Sequence, residues 1–402
     1  MQITAAAADV CDLLWLIDGS IPEMQQMTEL LNRFGPVVNV HGLDMDGILN
    51  ELVDPYRPHG IVTYLDANMT TYALVAEALG LPFFAPTTAV ALTDKAEQRR
   101  VMRDSGLPVP QFAVIEPGYS EIDPATLDAS IGWPAVLKPR SAQGSRYTFF
   151  VKDASHLNDF LGALGSERPE MILEGYIADD PARQNDPYAA YVSVESVASH
   201  GTVSHFALTG RFPLAENFRE TGFFIPATVE SSDYENVLTL ARSAVEALGV
   251  SHGFLHTEIK FTPEGPRVIE VNGRIGGGVP EMIGRASDLP VVALSLRLAL
   301  GEDIHFDGPV ATTCIGYRFF LQPPAVSATV ASISGLDTVS DYPGVDAISV
   351  HQRPGADLDW KDGSRNHIVA VVGSADSYDE LRAVDRLLNQ EVTVTYANVS
   401  HG

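Results

Sequence analysis

Between residues 254 and 274 the chain reads Phe-Leu-His-Thr-Glu-Ile-Lys-Phe, then Thr-Pro-Glu-Gly, then Pro-Arg-Val-Ile-Glu-Val-Asn-Gly-Arg. Two alternating runs joined by turn residues predict a β-hairpin. With the loop centred on residue 264, Glu258 faces Glu270 and His256 faces Asn272. Alternation puts His256, Glu258, Lys260, Glu270 and Asn272 on one face, and Leu255, Thr257, Ile259, Phe261, Ile269 and Val271 on a core face. Carboxylates directly across a ladder repel each other, so the pair needs a cation. A hard divalent ion fits: magnesium takes oxygen ligands at about 2.1 Å and is held by one or two carboxylates together with substrate phosphates. Glu258, Glu270 and the Asn272 amide oxygen make such a ligand set, and Arg274 is placed to reach a phosphoryl group in transfer. The other reading, a solvated face with Lys260 between the acids, sets one lysine against two carboxylates.

A second feature is Lys138, at the end of a short apolar run and followed by Pro-Arg-Ser-Ala-Gln-Gly-Ser-Arg146. A lysine at the mouth of a Gly/Ser loop suits a phosphate cradle, because backbone N–H groups and an ammonium converge on anionic oxygens. A hairpin turn with a solvated lysine is the alternative. No Gly-Lys dipeptide occurs, so the P-loop is absent, and no Gly-x-Gly-x-x-Gly follows the first apolar run. His-Glu-x-x-His and Gly-x-Ser-x-Gly are absent as well.

The formal net charge of −26 opposes a phosphate backbone, which argues against nucleic-acid binding. Apolar stretches such as 13–17 and 291–300 fall short of the roughly 20 residues that span a bilayer, so no membrane partner is expected. Only Cys11 and Cys314 occur, which excludes a disulfide framework and a thiolate zinc site and fits a reducing cytoplasm.

Strands expected at 12–17, 37–40 and 60–65 alternate with helices at 22–34 and 72–79, which predicts a parallel α/β domain over 1–110. A further helix is expected from Thr93 as N-cap, through Lys95, Arg99 and Met102, to Gly106. From 111 to 310 the pattern becomes α+β, with β-rich stretches at 135–138, 147–152, 171–174 and 191–197. Residues 311–402 read as a C-terminal α+β subdomain, with strands at 314–321, 367–372 and 392–396 and a helix at 378–389 started by Ser377 and Glu380.

Taken in order, Thr-Asp-Lys95, Gly-Leu-Pro-Val-Pro110, Leu-Lys138-Pro, Leu-Glu174-Gly-Tyr-Ile177, and His-Thr-Glu258 with Glu270-Val-Asn-Gly-Arg274 resemble the ATP-grasp superfamily over about residues 10–310. Arg219-Glu-Thr-Gly222, Pro226 and the glycine run after Arg274 are similar to the L-amino acid ligases, which join two amino acids. The fold class implied is α/β and α+β: an N-terminal parallel α/β domain, a central ATP-grasp domain with its lid at about 111–200 and its metal and catalytic part at about 200–310, and the C-terminal subdomain. The resemblance implies that Lys95 and Lys138 hold phosphates beneath a lid at 141–146 that includes Ser141, Gly144 and Ser145. It places adenine at Glu174, Gly175, Tyr176 and Ile177, with His256 also in the ATP site. Asp179, Asp180 and Asp186 all remain candidates for the ribose. Glu258, Glu270 and Asn272 would bind two magnesium ions, for which manganese can substitute. Arg274 and Glu220 would act in catalysis, and the same two with Gly276 and Gly277 would bind substrate. The activity implied is ATP-dependent, ADP-forming amide synthesis by a cytoplasmic homodimer whose small-molecule substrates are amino acids. A biotin-carboxylase-like or purine-type carboxylase is the alternative. An acyl phosphate route suits these residues, since cations must neutralise the charge that builds on the phosphoryl oxygens.

Overall fold

The computed structural model describes residues 2–118 and 131–400. In the N-terminal part, Trp15–Ile17 and Val37–Asn39 pair in parallel, flanked by the helices Pro22–Leu31, Met45–Tyr56 and Asp66–Leu79. The strand expected at 60–65 does not form. Its apolar residues are used elsewhere: Tyr64 bonds Ser295 at 2.7 Å on the helix Val291–Ala299, and the Thr63 hydroxyl takes the Leu65 N–H in a local turn. The helix at Lys95 also starts one residue later than expected. Thr93 closes the preceding helix Pro86–Thr93, its hydroxyl donating to Ala89 O, and Asp94 is the N-cap, accepting from the N–H groups of Ala96 and Glu97. A carboxylate there satisfies two of the free N–H groups of the first turn.

A four-stranded antiparallel sheet follows, in the order Phe112–Ile115, Met171–Gly175, Ala135–Pro139, Phe149–Val151, backed by the helix Ala154–Leu164. Leu137, Phe149, Leu157 and Leu173 close its core.

The largest sheet has eight antiparallel strands in the order Arg267–Asn272, Gly253–Lys260, Tyr191–Ser199, Thr202–Arg211, Gly222–Ile225, Ile315–Leu321, Val369–Ala375, Val345–Val350. It therefore continues across residue 310, and strands from the last ninety residues stand beside those of the central region. The helix Val279–Ser287 packs Val279, Met282 and Ile283 against Val197, Phe206 and Phe223. The helix Ser231–Ala247 buries Ala244 and Val245 with Leu255 and Val271. Burial of each such side chain contributes roughly 1.5–3 kcal/mol. Strand Arg267–Asn272 is an edge of this sheet, and the Gln98 side chain covers it: its amide donates to Val271 O and accepts from Val271 N, each at 2.9 Å.

A three-stranded sheet of Asp357–Leu358, Ser327–Ser334 and Thr393–Ser400 and the helix Tyr378–Glu391, capped by Ser377, complete the chain. Among the described residues no helix is long and apolar enough to cross a membrane.

Candidate active site

The hairpin closes through a turn at 262–265, in which Gly265 N donates to Thr262 O at 3.0 Å. Glu258 lies opposite Glu270 and His256 opposite Asn272, as alternation requires. Beyond Glu258 the register shifts, so that Ile259 pairs with Val268 and Lys260 with Arg267. This bulge corrects the expected core face. Val268 enters the core, while Ile269 turns to the cavity wall and its carbonyl accepts from Arg99 Nη2 at 2.5 Å.

A cavity of about 690 Å3 lies between the hairpin, the four-stranded sheet and the last ninety residues. Glu258, Glu270, Asn272 and Arg274 all line it, as do Lys95, Lys138 and His256. Each carboxylate of the facing pair has its own cation: Lys95 Nζ is 3.0 Å from Glu270 Oε1, and His256 Nε2 is 3.4 Å from Glu258 Oε1. Lys260 does not stand between them, since it pairs with Asp179 at 3.0 Å. Two carboxylates and an amide oxygen on one wall suit magnesium, which completes its shell with phosphate oxygens and water. Among the described residues, no cluster of three or more His, Cys, Asp or Glu gathers to hold a metal by protein ligands alone.

Lys138 and Arg99 converge on the Glu174 carboxylate, with Arg99 Nε 3.0 Å from Oε2 and Lys138 on the other oxygen. Burial alone would raise the Glu174 pKa, but Arg99 and Lys138 outweigh it and hold the carboxyl near 2. The Glu174 side chain thus fixes the lysine in place. Arg99 lies one turn beyond Lys95 on the helix Lys95–Asp104, so one helix face carries both cations.

The N–H groups of Gly175 and Tyr176 are already bonded to Gln111 O and Pro134 O. Glu174, Gly175, Tyr176 and Ile177 nevertheless all line the cavity, beside the rings of Phe150 and Phe218, whose centroids lie 5.2 and 6.3 Å from that of Tyr176. Of the three acids that follow, Asp180 caps a short 3-10 turn and Asp186 pairs with Arg183. Asp179 bonds Tyr176 and Lys260, both on the cavity wall.

Gly144 and Ser145 line the cavity, but Ser141 is exposed and does not. The loop enters one residue later, where Ala142 O accepts from Lys95 Nζ at 2.6 Å. Its far side rests on the turn Trp360–Asn366: Ser364 N donates to Gly144 O and Tyr147 N to Lys361 O, both at 2.8 Å. Ser145 Oγ also donates to Phe218 O at 2.8 Å.

Beside the hairpin, on the next strands of the same sheet, lies a polar layer in which sequence inspection found His256 and Glu220 but missed Glu195, Ser193 and Arg211. Glu195, fully buried on the central strand, accepts from His256 Nδ1 at 2.8 Å and from Thr209 at 2.7 Å. Burial pulls the His256 pKa down, yet Glu195 and Glu258 overcome it and raise the imidazole to about 9. His256 in turn holds Glu258, whose pKa burial would raise, down at about 2. Arg211 reaches Glu220 Oε1 at 3.2 Å and Ser193 Oγ at 2.7 Å. Burial and the nearby Glu258 raise the Glu220 pKa. An acid inside the apolar run 191–197 was the available signal for Glu195.

Arg274 is oriented by Asp66, whose Oδ1 lies 2.9 Å from its Nε at the start of the helix Asp66–Leu79. Gly276 and Gly277 complete that wall. Gly276 lies so close to His256 that a Cβ would fall 2.4 Å from Nδ1. Arg318, Phe320, Arg365 and His367 also line the cavity, Arg318 beside Gly278.

Residues 92–278 match the family described as ATP-grasp domain. The chain is 23% identical over 343 residues to the L-arginine-specific L-amino acid ligase of Bacillus subtilis, an alignment covering 82% of this chain and 78% of that protein. The crystal structure of an L-amino acid ligase from Bacillus licheniformis superposes with a TM-score of 0.77 at 20% identity, covering 98% of this chain and 95% of that one. N5-carboxyaminoimidazole ribonucleotide synthetase from Thermotoga maritima gives 0.68 at 15% identity, with 98% and 96% covered. Domain match, fold and relatives agree with the order of the sequence motifs: residues 92–278 match an ATP-grasp domain, and the chain resembles the L-amino acid ligases.

Proposed function

We propose that this protein is an ATP-dependent ligase that joins the carboxylate of one amino acid to the amine of another, releasing ADP and phosphate. The observation that carries the reading is the Glu258–Glu270 pair facing across the hairpin in one cavity with Lys95, Lys138 and Arg274. A carboxylate is a poor electrophile, and phosphorylation by ATP turns it into an acyl phosphate that an amine attacks. Magnesium bound by Glu258, Glu270 and Asn272 would neutralise charge on the phosphoryl oxygens. The ammonium groups of Lys95 and Lys138 lie on the phosphate side, held at fixed positions by Glu270 and Glu174. Arg274, steadied by Asp66, faces the charge that develops at the reacting carboxyl. Glu220 supplies an acceptor for a substrate ammonium. The loop at 141–146 shields the intermediate from water.

The deciding experiment is a phosphate-release screen over pairs of amino acids with ATP and magnesium, with the nucleotide products resolved. ADP, phosphate and an amide are expected, and heavy oxygen from the acid should appear in the released phosphate. AMP and pyrophosphate would overturn the route. Likeness in fold to a carboxyaminoimidazole ribonucleotide synthetase supports a second reading, an ATP-dependent carboxylase. Turnover that depends on bicarbonate rather than on a second amino acid would select it.

A further inference from the structure

Five arginines and three lysines line the cavity, and seven of these eight cations pair with a carboxylate. Arg365 is the exception: its side chain has no ion pair or hydrogen bond among the described residues. In a chain of net charge −26, an arginine on a cavity wall without an acid beside it stands out. An exposed guanidinium is often simply hydrated, so its surroundings decide the matter.

Those surroundings are specific. Arg365 lies against the glycine of the 141–146 loop, its Cγ and Nε 3.7 and 4.0 Å from where a side chain on Gly144 would begin. The turn that carries it is bonded to the same loop, Ser364 N donating to Gly144 O at 2.8 Å. Gly363 admits no side chain there, because a Cβ would come within 2.1 Å of Gly144 O. On its other side the turn is tied to the substrate segment, with Glu220 N donating to Ser364 Oγ at 2.9 Å and Gln322 bridging Glu220 O and Ser364 O. The stem of Arg365 is thus delivered to one place, beside the loop expected to cradle phosphate, from a part of the chain remote from the sequence motifs.

We infer that Arg365 is an anion-binding residue of this cavity, brought into place when the glycine loop docks on the turn Trp360–Asn366, and that its ligand is the terminal phosphate of the nucleotide. The inference rests on the nucleotide reading proposed above. A planar guanidinium donates in parallel to two phosphate oxygens, and the loop supplies backbone N–H groups from the other side. With no carboxylate to release, Arg365 engages the phosphate without breaking an existing pair.

The test uses the full chain with Arg365→Ala and Arg365→Lys. Calorimetry with magnesium measures the affinity for β,γ-methylene ATP, ADP and AMP. Losing a charge-assisted contact should weaken the triphosphate analogue about tenfold or more, with AMP changed less than about twofold and the lysine variant intermediate. Equal weakening of all three nucleotides, or of none, overturns the assignment. So does unchanged nucleotide affinity with a raised KM for the amino acid, which would give Arg365 to a substrate carboxylate. If the wild-type chain fails to bind the triphosphate analogue, the nucleotide reading itself falls. If wild type binds and Arg365→Ala matches it, only the role of Arg365 falls.

Discussion

Glu258 and Glu270 stand opposite each other across the hairpin, and each is balanced by a different cation, His256 at 3.4 Å and Lys95 at 3.0 Å. These two cations relieve the repulsion expected of facing acids, and a divalent ion bound there would take over part of that balance. Glu270→Gln keeps the shape but removes the charge. Its kcat should fall by about 10² or more, and the melting temperature should fall as well, because the buried Lys95 loses its anion. Turnover within a few-fold of wild type would remove Glu270 from the metal site.

Arg274 and Asp66 separate a residue that touches charge from one that aims it. Arg274→Ala should lower kcat by about 10² with nucleotide affinity little changed. Asp66→Asn leaves the guanidinium present but less constrained, so a smaller loss, about tenfold, is expected. Steady-state kinetics on both variants and the double mutant would show whether they act as one unit. Additive losses would count against coupling.

Acid stability should report on Glu174. Its folded pKa, near 2, lies below the ordinary 4.5, so the stability it contributes is present above about 4.5 and is lost as pH falls towards 2. Melting temperature should drop across that window in wild type, and drop less steeply in Glu174→Gln. Glu174→Ala leaves Lys138 and Arg99 buried without their anion and should cost roughly 3–5 kcal/mol at neutral pH by denaturant melts. Parallel pH profiles for wild type and Glu174→Gln would refute the assignment.

The loop at 141–146 offers a structural test. Its contacts with Lys361, Ser364 and Phe218 tie it down, so the Tyr147 and Ser364 amides should be protected from hydrogen exchange. Gly363→Ala places a Cβ where Gly144 O lies and should raise their exchange about tenfold or more. Unchanged protection would mean that the loop does not depend on this turn.

Much of the site was legible in the sequence because alternation fixes which side chains share a strand face, and Glu258, Glu270, His256 and Asn272 fell where it put them. The bulge at Ile269 was not legible, since nothing local announces it and its carbonyl is satisfied by Arg99 from a helix far away in the chain. The cluster of Arg99, Lys138 and Glu174 was hidden for the same reason, each member coming from a different element. Residues 60–65 had the composition of a strand, but docking on the helix Val291–Ala299 prevailed over propensity. Thr93 and Asp94 are adjacent capping types, and only the geometry tells which one begins the helix. Arg318 and Arg365 belong to no motif, so the wall they form appears only when the last ninety residues join the sheet.

The Gln98 amide gives the outermost strand a one-residue partner, and this guards both identity and solubility. A slip of one position along Arg267–Asn272 would turn Glu270 inward and bring Val271 to the surface; bonding both polar groups of the Val271 backbone makes that slip unfavourable. The same two bonds occupy groups that would otherwise invite a strand from another molecule. Gln98→Ala should therefore show its first effect as concentration-dependent association rather than as a change in chemistry.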